Sequence, residues 1–251
     1  HVNAAVLVLD TADGSVQAWV GNSHLNGRDL LEQKLWWNHL ASPFAATLAL
    51  EKKTTTAASL LPEPEGLETQ WRSLRRCVQQ PTMAGTSALQ EAGGDGLSER
   101  LHQIGLAVDG EASLLSLAQA LRSLISGGLF VPAHWQGDAR SRRVWRSDAA
   151  FVTSEILAEA GPRNALFAEA IPQGAGWRAL WLLNGRENST AVLAGNPRQI
   201  VAVLVTGTDG SWRQATHSMR EVLEHLDTNS KGPRTPHGVV RSLVAFDPPV
   251  E

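Results

Sequence analysis

Two pairs of apolar segments at opposite ends of the chain constrain its fold more than any other feature. Near the start, residues 4–9 (AAVLVL) and 15–20 (SVQAWV) are separated by DTADG, a loop suited to a β-hairpin. Near the end, residues 190–195 (TAVLAG) and 199–205 (QIVAVLV) flank the turn signal Asn-Pro-Arg. Helical patterns separate the two hairpins. We therefore expect one antiparallel sheet assembled from both chain ends, in an α+β architecture.

The middle of the chain is predicted to be helical. Ser113 can cap a helix whose apolar residues recur at three- and four-residue spacings, and a Gly-Gly pair ends it. Weaker versions of this pattern lie at residues 97–104, 150–160 and 215–226. The last of these would cover the sheet after its final strand.

Composition excludes several classes of function. With 43% hydrophobic and 19% charged residues, the 251-residue chain has the balance of a folded globular protein. A net charge of −3 gives no general attraction to nucleic acid. No apolar run approaches the roughly 18 residues of a membrane span. Cys77 is the single cysteine, which excludes an internal disulfide. The chain starts at His1 rather than Met, which predicts a piece of a longer protein.

Five stretches, taken in order, resemble the transpeptidase domain of class A penicillin-binding proteins, the enzymes that cross-link peptidoglycan. "AAVLVLDTADGSVQAWVGN" resembles the opening hairpin, and "SPFAATLALEKK" resembles the helix after the nucleophile. "GLAVDGEASLLSLAQALRSLISGGLFVPAHW" resembles the Leu-rich helix block, and "TAVLAGNPRQIVAVLVTGTDG" resembles the closing hairpin. The final "TPHGVVRSLVAFDPPVE" resembles an exit linker that often leads to a further domain. The resemblance implies a penicillin-binding-protein transpeptidase or serine β-lactamase-like fold, with helices on both faces of the central antiparallel sheet.

The chemistry of that family depends on three short motifs around one cleft. Ser-x-x-Lys opens a helix, so that the lysine lies one turn from the serine and can accept its proton. Ser-x-Asn lies on a loop across the cleft, where it relays protons and holds the donor amide. Lys-Thr-Gly lies on an edge strand, binds the substrate carboxylate and helps to form the oxyanion pocket.

Alignment with the family places other residues at all three motifs. His39 falls at the nucleophile and Ser42 at its lysine. The predicted loop RRCVQQP falls on the second motif and WLLNGREN on the third. The matching positions there are Cys77, Gln79, Leu183, Asn184 and Gly185.

The motifs are absent from the whole sequence, whatever the alignment. The four lysines are preceded, three residues earlier, by Leu, Ala, Leu and Thr, and none is followed by Thr-Gly or Ser-Gly. No asparagine has a serine two positions before it. The resemblance therefore predicts a catalytically inactive module that acts by binding or scaffolding in peptidoglycan synthesis. It also implies a periplasmic or extracytoplasmic location, membrane anchoring outside this chain and often a glycosyltransferase domain in the same polypeptide.

Two alternatives remain open at this stage. An active acyl-transferase or hydrolase could use a rebuilt nucleophile, either Cys77 or Ser42, with His39 as its base. Ser42 followed by Pro43 is also typical of a helix N-cap, and a buried cysteine is a common structural residue. A third reading is a module that binds peptidoglycan without turnover, in which Arg186 replaces the carboxylate-binding lysine.

Other features suggest surfaces or boundaries rather than chemistry. The basic run ARSRRVWR (139–146) could contact an anionic glycan or a protein, and Trp36-Trp37 could fill the core or present an aromatic surface. Cofactors and metals are not expected, because no metal-ligand spacing occurs. Segments 54–69 and 228–237 are predicted to be loops or linkers. Residues 1–227 are assigned to the domain, and 228–251 to a tail that leads to a further domain.

Overall fold

A computed structural model of the chain shows the predicted α+β architecture. The described residues are 2–24, 27–37, 41–65, 68–107, 110–159, 170–171, 176–184, 188–207, 211–226 and 232–242. Within these ranges, no helix is long and apolar enough to cross a membrane.

The main sheet has five antiparallel strands drawn from both ends of the chain. In spatial order it reads β2-β1-β11-β10-β9. The strands are β1 (Asn3–Asp10), β2 (Val16–Val20), β9 (Arg178–Asn184), β10 (Ser189–Gly195) and β11 (Gln199–Thr206). Both predicted hairpins are therefore confirmed, and they meet in one sheet.

The pairing of β1 with β11 joins the two chain ends. It runs without interruption from Asn3 opposite Thr206 to Asp10 opposite Gln199. Because alternate side chains point to opposite faces, each strand contributes to two separate hydrophobic clusters. On β1, for example, Leu7 belongs to the larger cluster and its neighbours on the other face belong to the smaller one.

Seven helices surround the sheet in the described part of the chain. They are α1 (Ala41–Glu51), α2 (Leu74–Gln79), α3 (Met83–Gly93), α4 (Leu97–Gln103), α5 (Leu114–Ile125), α6 (Ser147–Ala158) and α7 (Ser211–His225). Helices α5 and α7 both pack on β10 and β11. They do so through different clusters, α5 through the larger and α7 through the smaller. The prediction of helices on both faces is confirmed.

The Leu-rich helix α5 begins as its sequence predicts. The Ser113 hydroxyl accepts a hydrogen bond of 3.1 Å from the backbone N–H of Ser116, which caps the helix. One turn before its end, the buried Arg122 donates hydrogen bonds to the carbonyl oxygens of Asp10 (3.2 Å) and Ala12 (2.9 Å). The helix therefore fixes the loop of the first hairpin as well as covering the sheet.

The prediction that residues 54–69 are a loop or linker holds for residues 54–59 but is wrong from Leu60 onward. Strand β4 (Leu60–Glu65) pairs with β5 (Glu68–Ser73) over six residues. Pro62 and Pro64 are two positions apart, so the N–H groups that they lack fall on the same edge of β4. The pairing over six residues shows that the strand accommodates both prolines.

Three short ladders complete the described secondary structure. They are β4 with β5, β3 (Lys34–Trp36) with β6 (Glu111–Ser113), and β7 (Leu129–Phe130) with β8 (Arg142–Arg143). The part of the second predicted linker that the structure describes, residues 232–237, contains neither helix nor strand. The domain boundary expected at residues 227 and 228 lies outside the described residues and stays a prediction.

Replacing Leu121 by Ala should destabilise the fold by about 2–5 kcal/mol, because Leu121 is fully buried in the larger cluster and its loss leaves a cavity. Leu115→Ala on the same helix is the matched control, since Leu115 is only partly buried. Urea unfolding with an unchanged m-value measures the difference. Equal losses in the two variants would contradict the packing described here.

Candidate functional site

Helix α1, which contains Ser42, is buried on every side. All residues from Ala41 to Ala49 are buried, and Ser42 is fully so. The helix begins at Ala41, so Ser42 and Pro43 lie within its first turn, and Ser42 is not its N-cap. A helix that is apolar around its whole circumference is a core element. Ser42 is therefore placed in packed protein rather than at a surface.

An aromatic stack holds the start of α1. The Phe44 ring contacts Trp37 edge-on at a centroid distance of 6.3 Å and stacks on Trp145 at 6.2 Å. Trp145 is anchored in turn, because its indole N–H donates to the Ser123 hydroxyl at 3.2 Å. Trp37 thus fills the core, as favoured from the sequence, whereas its neighbour Trp36 is 40% exposed.

Cys77, at the position of the second-motif serine, is a buried thiol. The predicted loop around it is instead helix α2, which Ser73 caps by accepting a hydrogen bond from the Arg76 N–H. A Cβ atom added at Gly85 would lie 3.5 Å from Cys77 Sγ, so α3 packs directly over the thiol. Burial, followed by the negative charge of Glu63, raises the pKa of the thiol to about 11. A nucleophilic cysteine requires the opposite shift.

Glu63 is a buried charged group that the sequence reasoning missed. Its carboxylate accepts a hydrogen bond from the Thr82 hydroxyl and forms a 3.1 Å ion pair with Arg72. Thr82 also caps α3 by accepting from the Gly85 N–H at 2.9 Å. The carboxylate therefore joins the β4–β5 ladder to the helix that covers Cys77. No signal in the sequence marked it, because its segment was predicted to be a loop.

Gln79, at the position of the second-motif asparagine, links two helices. Its side-chain amide donates to the Glu159 carboxylate at 2.8 Å and to the Ile156 carbonyl at 3.5 Å. Arg75 forms an ion pair with the same carboxylate. The amide that would face a substrate in the family is hydrogen-bonded to the C-terminal end of α6.

Helix α6 brings together the elements that carry the residues predicted from the sequence to match the three motifs. It contacts α1, α2 and β9, and α1 also contacts α2 directly. Between α1 and α6, the Thr47 hydroxyl donates to Thr153 Oγ1 at 2.9 Å in a fully buried contact. Leu183 and Asn184 lie at the end of β9, paired with Thr190 and Ser189. His39, Gly185 and Arg186 lie outside the described residues.

The basic run at 139–146 is largely engaged within the protein. Arg142 lies over the Phe130 ring and donates to the Gln103 carbonyl. Arg143 donates to the Gly127 carbonyl at 2.8 Å, and Arg146 pairs with Asp148 at 2.7 Å. These contacts explain the positions of three arginines without an external ligand.

Metal-ligand geometry is not found in the part of the chain that the structure describes. No group of three or more His, Cys, Asp or Glu side chains there could hold a metal ion.

Comparisons with known proteins show the fold. No protein-family model and no curated protein sequence matches the chain. A peptidoglycan glycosyltransferase from Burkholderia ambifaria is 16% identical, with a TM-score of 0.70 over 88% of this chain and 90% of that one. The apo TP domain of Burkholderia pseudomallei penicillin-binding protein 3 is 16% identical, with a TM-score of 0.67 over 91% of this chain and 90% of that one.

A third similar structure is a longer protein. Penicillin-binding protein 1A from Haemophilus influenzae is 14% identical, with a TM-score of 0.75 over 95% of this chain and 50% of that one. This chain therefore spans about half the length of that protein. Two of these three solved structures are penicillin-binding proteins. The predicted fold class is confirmed.

Cys77 should react with a disulfide reagent such as DTNB about 100-fold or more slowly at pH 8 in the folded chain than in urea. The thiolate fraction falls about tenfold for each unit of raised pKa, and packing under α3 slows the reaction further. Cys77→Ala gives the background signal. A native rate equal to the unfolded rate would show an accessible, ionised thiol.

The same thiol should make stability depend on alkaline pH. Its pKa is about 11 in the folded chain against 9.0 ordinarily, so folding favours the neutral form. This contribution, at most about 3 kcal/mol, is present below pH 9 and is lost as the pH rises toward 11. Comparing urea unfolding of the natural chain and Cys77→Ala across this range isolates it. If the free energy of unfolding changed with pH in the same way in both proteins, the raised pKa of Cys77 would be contradicted.

Proposed function

We propose that this chain is a catalytically inactive, penicillin-binding-protein-like module that acts by binding or scaffolding in peptidoglycan synthesis. The main observation that supports this proposal is the burial of both residues that could have replaced the nucleophile. Ser42 and Cys77 are fully buried, and the sequence contains none of the three catalytic motifs. A nucleophile for acyl transfer must reach a substrate carbonyl and must have a base in hydrogen-bond range.

The electrostatics around Cys77 support the same proposal. Activation of a thiol requires a nearby positive charge or a helix N-terminus. Cys77 instead lies in the middle of α2, where burial and Glu63 both disfavour the thiolate and Arg72 only partly offsets them. The hydroxyl of Thr82 and the charge of Arg72 are both directed to Glu63 rather than to the thiol.

Exposed aromatic and sulfur-containing side chains supply surface for a partner. Trp71 on β5 and Met83 at the start of α3 are 53% and 61% exposed. Tryptophan is enriched among the residues that contribute most of the binding energy at protein interfaces. We propose a cell-envelope protein or peptidoglycan as that partner.

The proposed setting is a larger envelope protein. The likeness to the Haemophilus influenzae protein, of which this chain spans about half, is compatible with a further domain in the same polypeptide. We propose a periplasmic or extracytoplasmic location, with membrane anchoring outside this chain. Residues 1–227 would form the module, and residues 228–251 would form a tail that leads to the further domain.

Incubation with a fluorescent penicillin should leave the chain unlabelled after denaturing electrophoresis, because the sequence has no Ser-x-x-Lys motif and Ser42 is fully buried. An active penicillin-binding protein serves as the positive control and a heat-denatured sample as the blank. The rival is an enzyme with a rebuilt nucleophile. Covalent label that disappears in Ser42→Ala or Cys77→Ala, while the variant keeps its native thermal unfolding midpoint, would overturn the proposal in favour of that rival.

A further inference from the structure

The segment 232–242 is packed against the domain although it contains neither helix nor strand. Pro233, Pro236 and Val239 are half-buried, whereas most residues between them are exposed. A turn reverses the segment, since the Val239 N–H donates to the Pro236 carbonyl at 3.4 Å and Gly238 has φ = +90°. The segment therefore leaves and returns to the same region of the surface.

The two ends of the segment both lie next to the ion pair of Glu155 with Arg178. Arg241 Nη2 lies 2.7 Å from Glu155 Oε2, and the other oxygen of that carboxylate pairs with Arg178. Gly232, at the other end, is so close that an added Cβ would lie 3.9 Å from Arg178 Nη2. Glu155 is on α6 and Arg178 is the first residue of β9. One carboxylate thus bridges the core of the fold and the segment.

The two ion pairs of Glu155 differ in strength. Arg178 is almost completely buried, and burial lowers its pKa, so the fold depends on its counter-charge. Arg241 has a side chain that is 76% exposed, and a pair in that environment changes an equilibrium by at most about fivefold. The Glu155–Arg178 ion pair inside the fold is therefore the stronger of the two, and the Glu155–Arg241 ion pair to the segment breaks at a small cost in free energy.

We propose that residues 232–242 form a releasable strap, latched to the junction of α6 and β9 by Arg241 on Glu155. Release frees one oxygen of Glu155 and uncovers the guanidinium of Arg178 at the start of β9, the outer strand of the main sheet. A cationic side chain from elsewhere can then replace Arg241 on Glu155. This inference does not depend on whether the chain is catalytic.

Hydrogen exchange of the intact chain, read by mass spectrometry on a peptide covering 232–242, tests the strap. The strap should be protected several-fold relative to a free synthetic peptide of the same sequence. Arg241→Ala should increase its exchange by two- to fivefold. Arg234→Ala is the matched control, because it removes the same charge from an exposed position on the same strap. Raising NaCl from about 50 to about 500 mM should reduce protection in the natural chain but not in Arg241→Ala.

Each of the following outcomes would reject the proposal that the Arg241–Glu155 ion pair holds the strap. Equal exchange in the Arg241 and Arg234 variants would mean that Arg241 holds nothing. Exchange as fast as the free peptide in the natural chain would mean that the strap is not docked. Exchange only at the rate of global unfolding would mean that it is not releasable. Arg241→Lys keeps the positive charge and should therefore retain most of the protection that Arg241→Ala loses. If it does not, the charge of Arg241 is not what protects the strap from exchange.

Discussion

The pairing of β1 with β11 is the interaction on which the rest of the structure depends. It joins residues almost 200 positions apart and sets which side chains face each helical layer. A register shift of one residue would exchange the two hydrophobic clusters and bring the wrong side chains under both α5 and α7. The buried Arg122 secures this pairing at one end, because it binds the hairpin loop that follows β1. Forming so distant a contact is costly in chain entropy, which favours slow folding.

The fold is maintained by contacts that do not involve the motif positions. Helix α1 is held by the Phe44 stack and the Thr47–Thr153 hydrogen bond, and α2 lies beneath α3 through Gly85. Strand β9 is held by its ladder with β10. Loss of the catalytic groups would therefore leave the hydrophobic core intact, which is how a fold can persist without its chemistry.

Sequence reasoning succeeded where the pattern was local and failed where tertiary contacts decided the structure. The hairpins follow from apolar runs and turn residues, and α5 follows from its helical spacing and the Ser113 cap. The β4–β5 ladder was missed because residues 54–69 were predicted to be a loop or linker, and the pairing becomes visible only in the folded chain. Helix α3 offered one readable signal, Thr82 at its N-cap. The burial of Cys77 and the position of Glu63 could not be read from the sequence, because both depend on how separate elements pack.

The complete burial of α1 has a consequence for how this chain can evolve. The resemblance assigns the family's lysine to position 42, which is now enclosed by packed side chains. A lysine introduced there would place an ammonium group in the core without the serine and asparagine partners of the family motifs, at a cost of several kcal/mol. A Ser42→Lys substitution would therefore weaken the packing of α1 rather than create a catalytic group. Because the core encloses this position, the chain can accept substitutions on the surface of the domain far more readily than a charged side chain at position 42.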